Sequence, residues 1–78
     1  MTNLEKYTNA FASTFDIKPE EAAGLKYQGI EAWDSVGHMG LVAAIEEAFG
    51  IMMEADDIVD LSSFEKGREI LKKYNVEM

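Results

Sequence analysis

The 78-residue chain has no cysteine, one histidine, one proline and one tryptophan. Without cysteine it forms no disulfide and offers no thiolate, so any thiol chemistry has to come from a group attached to it. Cations are scarce as well: 7 Lys and Arg stand against 15 Asp and Glu, a formal net charge of −8. That balance argues against nucleic acid as a partner, whose phosphates need Lys and Arg. It favours basic protein surfaces, approached with electrostatic steering. No apolar run approaches the roughly 18 residues of a membrane span, and no signal-peptide pattern is visible, so a cytoplasmic location is expected. Gly-x-Ser-x-Gly and phosphate-loop patterns are missing, and Asp56, Asp57 and Asp60 lack the spacing of a calcium loop. Neither a repeat nor a low-complexity segment stands out. What is present is 47% hydrophobic residues, enough for one modest core and a single domain over residues 1–78.

Helical periodicity dominates. Thr2-Asn3-Leu4-Glu5 is a capping-box pattern, and Leu4, Tyr7, Phe11 and Phe15 recur at three- and four-residue steps, which predicts a first helix to about Phe15 with these four on its core face. Asp16-Ile17-Lys18-Pro19 ends it, because residues before proline avoid the helical region. Residues 16–33 read as a long loop with one turn at Pro19–Ala23 and another at Gly29, pinned by Leu25, Tyr27, Ile30 and Trp33.

A second helix is predicted from Ser35 to Phe49, with Gly50 closing it. Leu41, Val42, Ile45 and Phe49 share one face, which faces the core. Val36, Met39 and Ala43 lie nearly opposite, flanked by Glu46 and Glu47, and form an exposed apolar strip with an acidic edge, the composition of a partner-binding surface. A helix buried on both sides is the competing reading. Gly37 and Gly40 fall on the exposed half, where core packing does not demand glycine. A short third helix is expected over Glu54–Asp60. Ser62-Ser63-Phe64-Glu65 reads as a second capping box, opening a last helix to about Tyr74 with Lys72 and Lys73 in its final turn. The expectation is an all-α, four-helix bundle with one short helix and a long first loop.

Asp34-Ser35 stands at the mouth of the second helix. Unpaired amides and the positive dipole end suit an attached phosphate there. Ser35 and His38 are one turn apart, but the chain has no obvious oxyanion hole or substrate cleft for a hydrolase. Ser35 therefore reads as a tether, Asp34 as the helix cap, and His38 as a hydrogen-bonded structural residue. The chain is not expected to be an enzyme.

Taken together, Asp34-Ser35-Val36 before a helix, Ile45-Glu46-Glu47-Ala48-Phe49 at its end, the short acidic turn and the Ser-Ser-Phe start of the last helix resemble an acyl carrier protein of the phosphopantetheine-binding family. The resemblance spans essentially the whole chain. It implies 4′-phosphopantetheine on Ser35, transferred from coenzyme A by a phosphopantetheinyl transferase, with acyl groups held as thioesters. It implies a docking surface on the second helix, here Val36, Met39, Ala43, Glu46 and Glu47. The acyl pocket it implies lies between the second and third helices, at Leu41, Ala44, Ile45, Met53, Ile58 and Leu61. Partners would be an acyl-loading ligase or acyltransferase and a synthase or other acyl-transfer enzyme, in fatty-acid, polyketide or related biosynthesis, with the carrier a monomer. Trp33, Gly37, His38 and Gly40 depart from fatty-acid carriers and resemble specialised stand-alone carriers. An aminoacyl or peptidyl carrier and an unmodified acidic helical adaptor remain as alternatives.

Overall fold

Every long helix of this chain begins where a side chain takes over an unpaired amide. The computed structural model describes residues 1–78 and contains α1 (Asn3–Phe15), α2 (Ser35–Phe49), α3 (Ala55–Asp60) and α4 (Phe64–Lys72), one 3-10 turn at Pro19–Glu21 and no strand. Thr2 caps α1 reciprocally: its hydroxyl accepts from the Glu5 amide at 3.1 Å, and the Glu5 carboxylate accepts from the Thr2 amide at 2.9 Å. At α4 the cap is Ser63, whose hydroxyl accepts from the Lys66 amide at 3.0 Å. The expected box over Ser62 and Glu65 is thus displaced by one residue, and with lysine at the third position there is no return bond. Gly50 ends α2 at φ 64°, a conformation that costs glycine nothing. The ends of α3 and α4 fall one and two residues inside the predicted limits.

The all-α fold closes on an aromatic centre. Tyr7, Phe11 and Phe15 of α1 meet Trp33 and Phe64, with ring centroids between 4.7 and 6.0 Å apart, mostly edge to face. Leu41, Val42 and Ile45 of α2, Leu61, and Ile70 and Leu71 of α4 complete the core. The Tyr7 hydroxyl donates to the Phe64 carbonyl at 2.7 Å, and burial pushes its pKa up. Gly67 allows this contact, because a Cβ there would stand 2.0 Å from the Tyr7 oxygen. The radius of gyration, 11.1 Å, matches the roughly 11.5 Å expected of a folded chain of this length. No helix is long and apolar enough to cross a membrane.

The loop from Asp16 to Asp34 is held by backbone pairing as well as by its apolar side chains. The Tyr27 amide donates to Ser62 O at 2.8 Å and the Phe64 amide to Leu25 O at 2.9 Å, which zips the loop to the α3–α4 connection. Trp33 is wholly buried, as expected; Leu25 and Ile30 are half-buried, and Tyr27 is 38% exposed.

Helix α3 has only six residues, too few to be stable alone. Its first turn is fastened to the end of α4 by Asp57, a buried carboxylate. Lys73 donates to one Asp57 oxygen and the Tyr74 hydroxyl to the other at 2.5 Å, while Tyr74 accepts from the Glu54 amide at 2.9 Å. The Lys73 bond, then the Tyr74 bond, holds the Asp57 carboxyl below the usual carboxylate range. A lowered folded-state pKa contributes stability that is complete above the ordinary aspartate value of about 3.9 and fades as pH falls through the lowered one. Thermal melts of Asp57→Asn should therefore lie below wild type at neutral pH, with the gap narrowing as the pH drops below about 4. A gap that stays constant from neutral to acid pH would contradict this role for Asp57.

Candidate functional site

Asp34 and Ser35 divide the work at the start of α2. The Asp34 carboxylate accepts from the Gly37 amide at 2.8 Å, and its backbone carbonyl accepts from the His38 amide at 2.8 Å. With the cap supplied by Asp34, the Ser35 hydroxyl is exposed and has no partner in the chain. The amides of Ser35 and Val36, in the first turn, are also left unpaired. One free hydroxyl thus sits among free donors at the positive end of a 15-residue helix.

Behind Ser35, one turn along, His38 ties three parts of the chain together. Its Nδ1 lies 3.0 Å from the Trp33 indole nitrogen and its Nε2 lies 2.7 Å from the carbonyl of Ile58. An indole N–H only donates and a carbonyl only accepts, so Nδ1 must accept and Nε2 must carry the proton. The neutral Nε2–H tautomer is therefore dictated by the two partners. Ile58 O is one of the last carbonyls of α3, without a partner inside that helix, so His38 caps α3 from α2. The imidazole also lies nearly parallel to the Trp33 ring, 13° between planes, and edge-on to Tyr27 at 5.4 Å.

A groove of about 430 Å³ opens beside Ser35, lined by Tyr27, His38, Met39, Ile58, Val59 and Leu61 with Ser62 at its rim. Of the six residues expected to form a pocket, Ile58 and Leu61 line this groove. Leu41, Ile45 and Met53 do not; they are spent in the core. Ala44 does not either, because it turns toward α1 and lines a separate depression of about 410 Å³ with Lys6, Asn9 and Glu47. The residues that the structure exposes beside Ser35 are those of the groove. Tyr27, His38, Val59 and Ser62 were missed. Contacts between a loop residue and a helix twenty or more positions away leave no periodic trace in sequence.

The strip on α2 is largely as read: Val36 is 80% exposed and Met39 54%, with Ala43 and Glu47 also exposed. Glu46 departs from it. Its carboxylate accepts from the Met53 amide at 2.9 Å and is half-buried against the α2–α3 connection, so it serves the fold rather than the strip. Val59, 80% exposed on α3, extends the apolar surface across the groove from Met39. Charge is segregated along the sequence as well. No Lys or Arg occurs between Lys26 and Lys66, a stretch holding nine of the fifteen acids and all of α2 and α3.

The two glycines of α2 differ. A Cβ on Gly37 would stand 2.0 Å from the carbonyl oxygen of Ala32 and 3.3 Å from the Phe15 ring. Contrary to the helical-wheel expectation, Gly37 is required by the close approach of the loop that carries Trp33. A Cβ on Gly40 would meet only Thr14 Cγ2, at an ordinary 3.6 Å. Gly40→Ala should raise stability by roughly 0.8–1 kcal/mol, the helix-propensity difference. Gly37→Ala should lower it by about 1–3 kcal/mol through overpacking. Denaturant titration of both variants checks the pair, and a Gly37→Ala protein as stable as wild type would refute the close approach.

Searches of protein-family models, curated proteins and solved structures return no match to this chain.

Proposed function

We propose that this chain is a carrier protein of the acyl-carrier type, its four helices forming that family's bundle and Ser35 bearing 4′-phosphopantetheine. The observation that carries the reading is the division of labour at α2: Asp34 occupies the cap, which frees the Ser35 hydroxyl for modification. The residues fit the group. Unpaired amides of Ser35 and Val36 suit a phosphodiester, and the apolar groove beside them suits an arm with little charge. The arm would supply the thiol that this cysteine-free chain lacks and hold an acyl group as a thioester.

In this reading the chain is a substrate of other proteins. A Mg²⁺-dependent phosphopantetheinyl transferase loads Ser35 from coenzyme A. A ligase or acyltransferase then charges the thiol, and a synthase or other acyl-transfer enzyme takes the cargo. Val36, Met39 and Ala43 would meet an apolar patch on each partner, while Glu47 would meet its Lys and Arg. An aminoacyl carrier would use the same surface.

Incubation with coenzyme A, Mg²⁺ and a broad-specificity transferase should add one phosphopantetheinyl mass to the wild type. Ser35→Ala should gain nothing while melting cooperatively near the wild-type temperature, because Asp34 keeps the cap. A wild-type chain that stays unmodified would favour an acidic adaptor that uses the α2 strip for binding alone.

The docking face is tested by rate. Glu47→Lys should slow modification, and the wild-type rate should fall with salt once the Debye length drops to about 10 Å or less. Rates insensitive to both would place docking elsewhere.

A further inference from the structure

The space between α2 and α3, where a bundle of this kind could open to admit an alkyl chain, is bolted by side chains. His38 reaches from α2 to the Ile58 carbonyl of α3, and Trp33 fills the volume behind it with no exposed surface. Beyond this bridge Leu41 and Ile45 are buried to within 1%, and neither lines any of the five surface depressions of the molecule. The groove at Ser35 therefore ends on Tyr27, His38 and the buried Leu61, and it does not reach Leu41 or Ile45. To pass inward, a chain would have to part Trp33 Nε1 from His38 and His38 from Ile58 O. That leaves the buried Trp33 indole donor and the half-buried Ile58 carbonyl without their protein partners, a loss that alkyl burial has to exceed first.

We infer that the Trp33–His38–Ile58 bridge keeps the cargo of this carrier out of its interior: the acyl group stays in the shallow groove between Met39 and Val59 and is not sequestered between α2 and α3. The inference rests on the carrier reading, which it deepens from an acyl group on the arm to the place where that group lies. His38 acts here as a closing residue that touches the groove, and Trp33 acts through it by fixing the tautomer.

The test uses the whole chain loaded at Ser35 with butyryl, octanoyl or dodecanoyl pantetheine by a broad-specificity transferase, with loading verified by mass. Hydroxylamine cleavage then reads how sheltered each thioester is, and methyl NMR reads whether the core moves. On the wild type, the cleavage rate should not change with chain length, and the Leu41 and Ile45 methyl resonances should stay in place from butyryl to dodecanoyl. In His38→Ala, the dodecanoyl thioester should become roughly tenfold slower to cleave than the butyryl one, about the factor that burying two methylenes provides. Those methyl signals should shift with it. Should His38→Ala not fold, Trp33→Phe, which keeps an aromatic ring and removes the indole donor, tests the Trp33 half of the bridge, and the wild-type series decides the main point by itself. Protection of dodecanoyl in the wild type, with shifted core methyls, would overturn the inference while leaving the carrier reading intact. A chain that takes up no pantetheinyl group from any of the three donors would overturn the carrier reading, and the inference with it.

Discussion

The hydrogen bond from the Trp33 indole to His38 is the contact on which the arrangement around Ser35 depends. It joins the end of the long loop to the second turn of α2, and through the other ring nitrogen it reaches α3. Trp33 also anchors the aromatic centre, stacked on Phe15 and edge-on to Phe11. One side chain pair thus couples the core to the surface groove. Loss of the imidazole would strand the buried Trp33 donor, at a cost of about 1–3 kcal/mol, and release the half-buried Ile58 carbonyl. For a domain of this size that is a large share of a total stability of roughly 4–12 kcal/mol.

Polar fastenings of this kind explain how a six-residue helix keeps its place. The first turn of α3 is held by Asp57 through Lys73 and Tyr74, and its Ile58 carbonyl by His38, while Leu61 just beyond it is buried. The connection before it is held by Glu46 on the Met53 amide. Apolar burial and the fixed polar bonds then point to the same position for α3, the mutual support expected of a sequence with one native state. Because α3 is one wall of the groove, these bonds also set the shape of the surface beside Ser35.

Much of this was legible in the sequence because it is local. The Thr2 box, the α1 aromatic face, the Asp34 cap, the Gly50 ending and the exposed Val36–Met39–Ala43 strip all follow from three- and four-residue spacing. What escaped depends on partners far apart in the chain. Gly37 looked dispensable on a helical wheel because the Ala32 carbonyl that crowds it belongs to the loop. Glu46 looked like part of an acidic rim because its bond to Met53 crosses a turn. Leu41, Ile45 and Met53 were apolar residues near the right helices, yet whether such residues line a pocket or fill a core depends on how closely α2 and α3 approach. His38 bridges the two helices at the Ile58 carbonyl.

For the proposed role, the central claim is that the Ser35 hydroxyl, left free by Asp34, is the point of attachment. The most direct measurement is a phosphorus–proton correlation NMR spectrum of the chain after treatment with coenzyme A and a transferase. The account predicts a single phosphodiester resonance coupled to the β-protons of Ser35. A phosphodiester coupled to any other residue, or none at all, would contradict it.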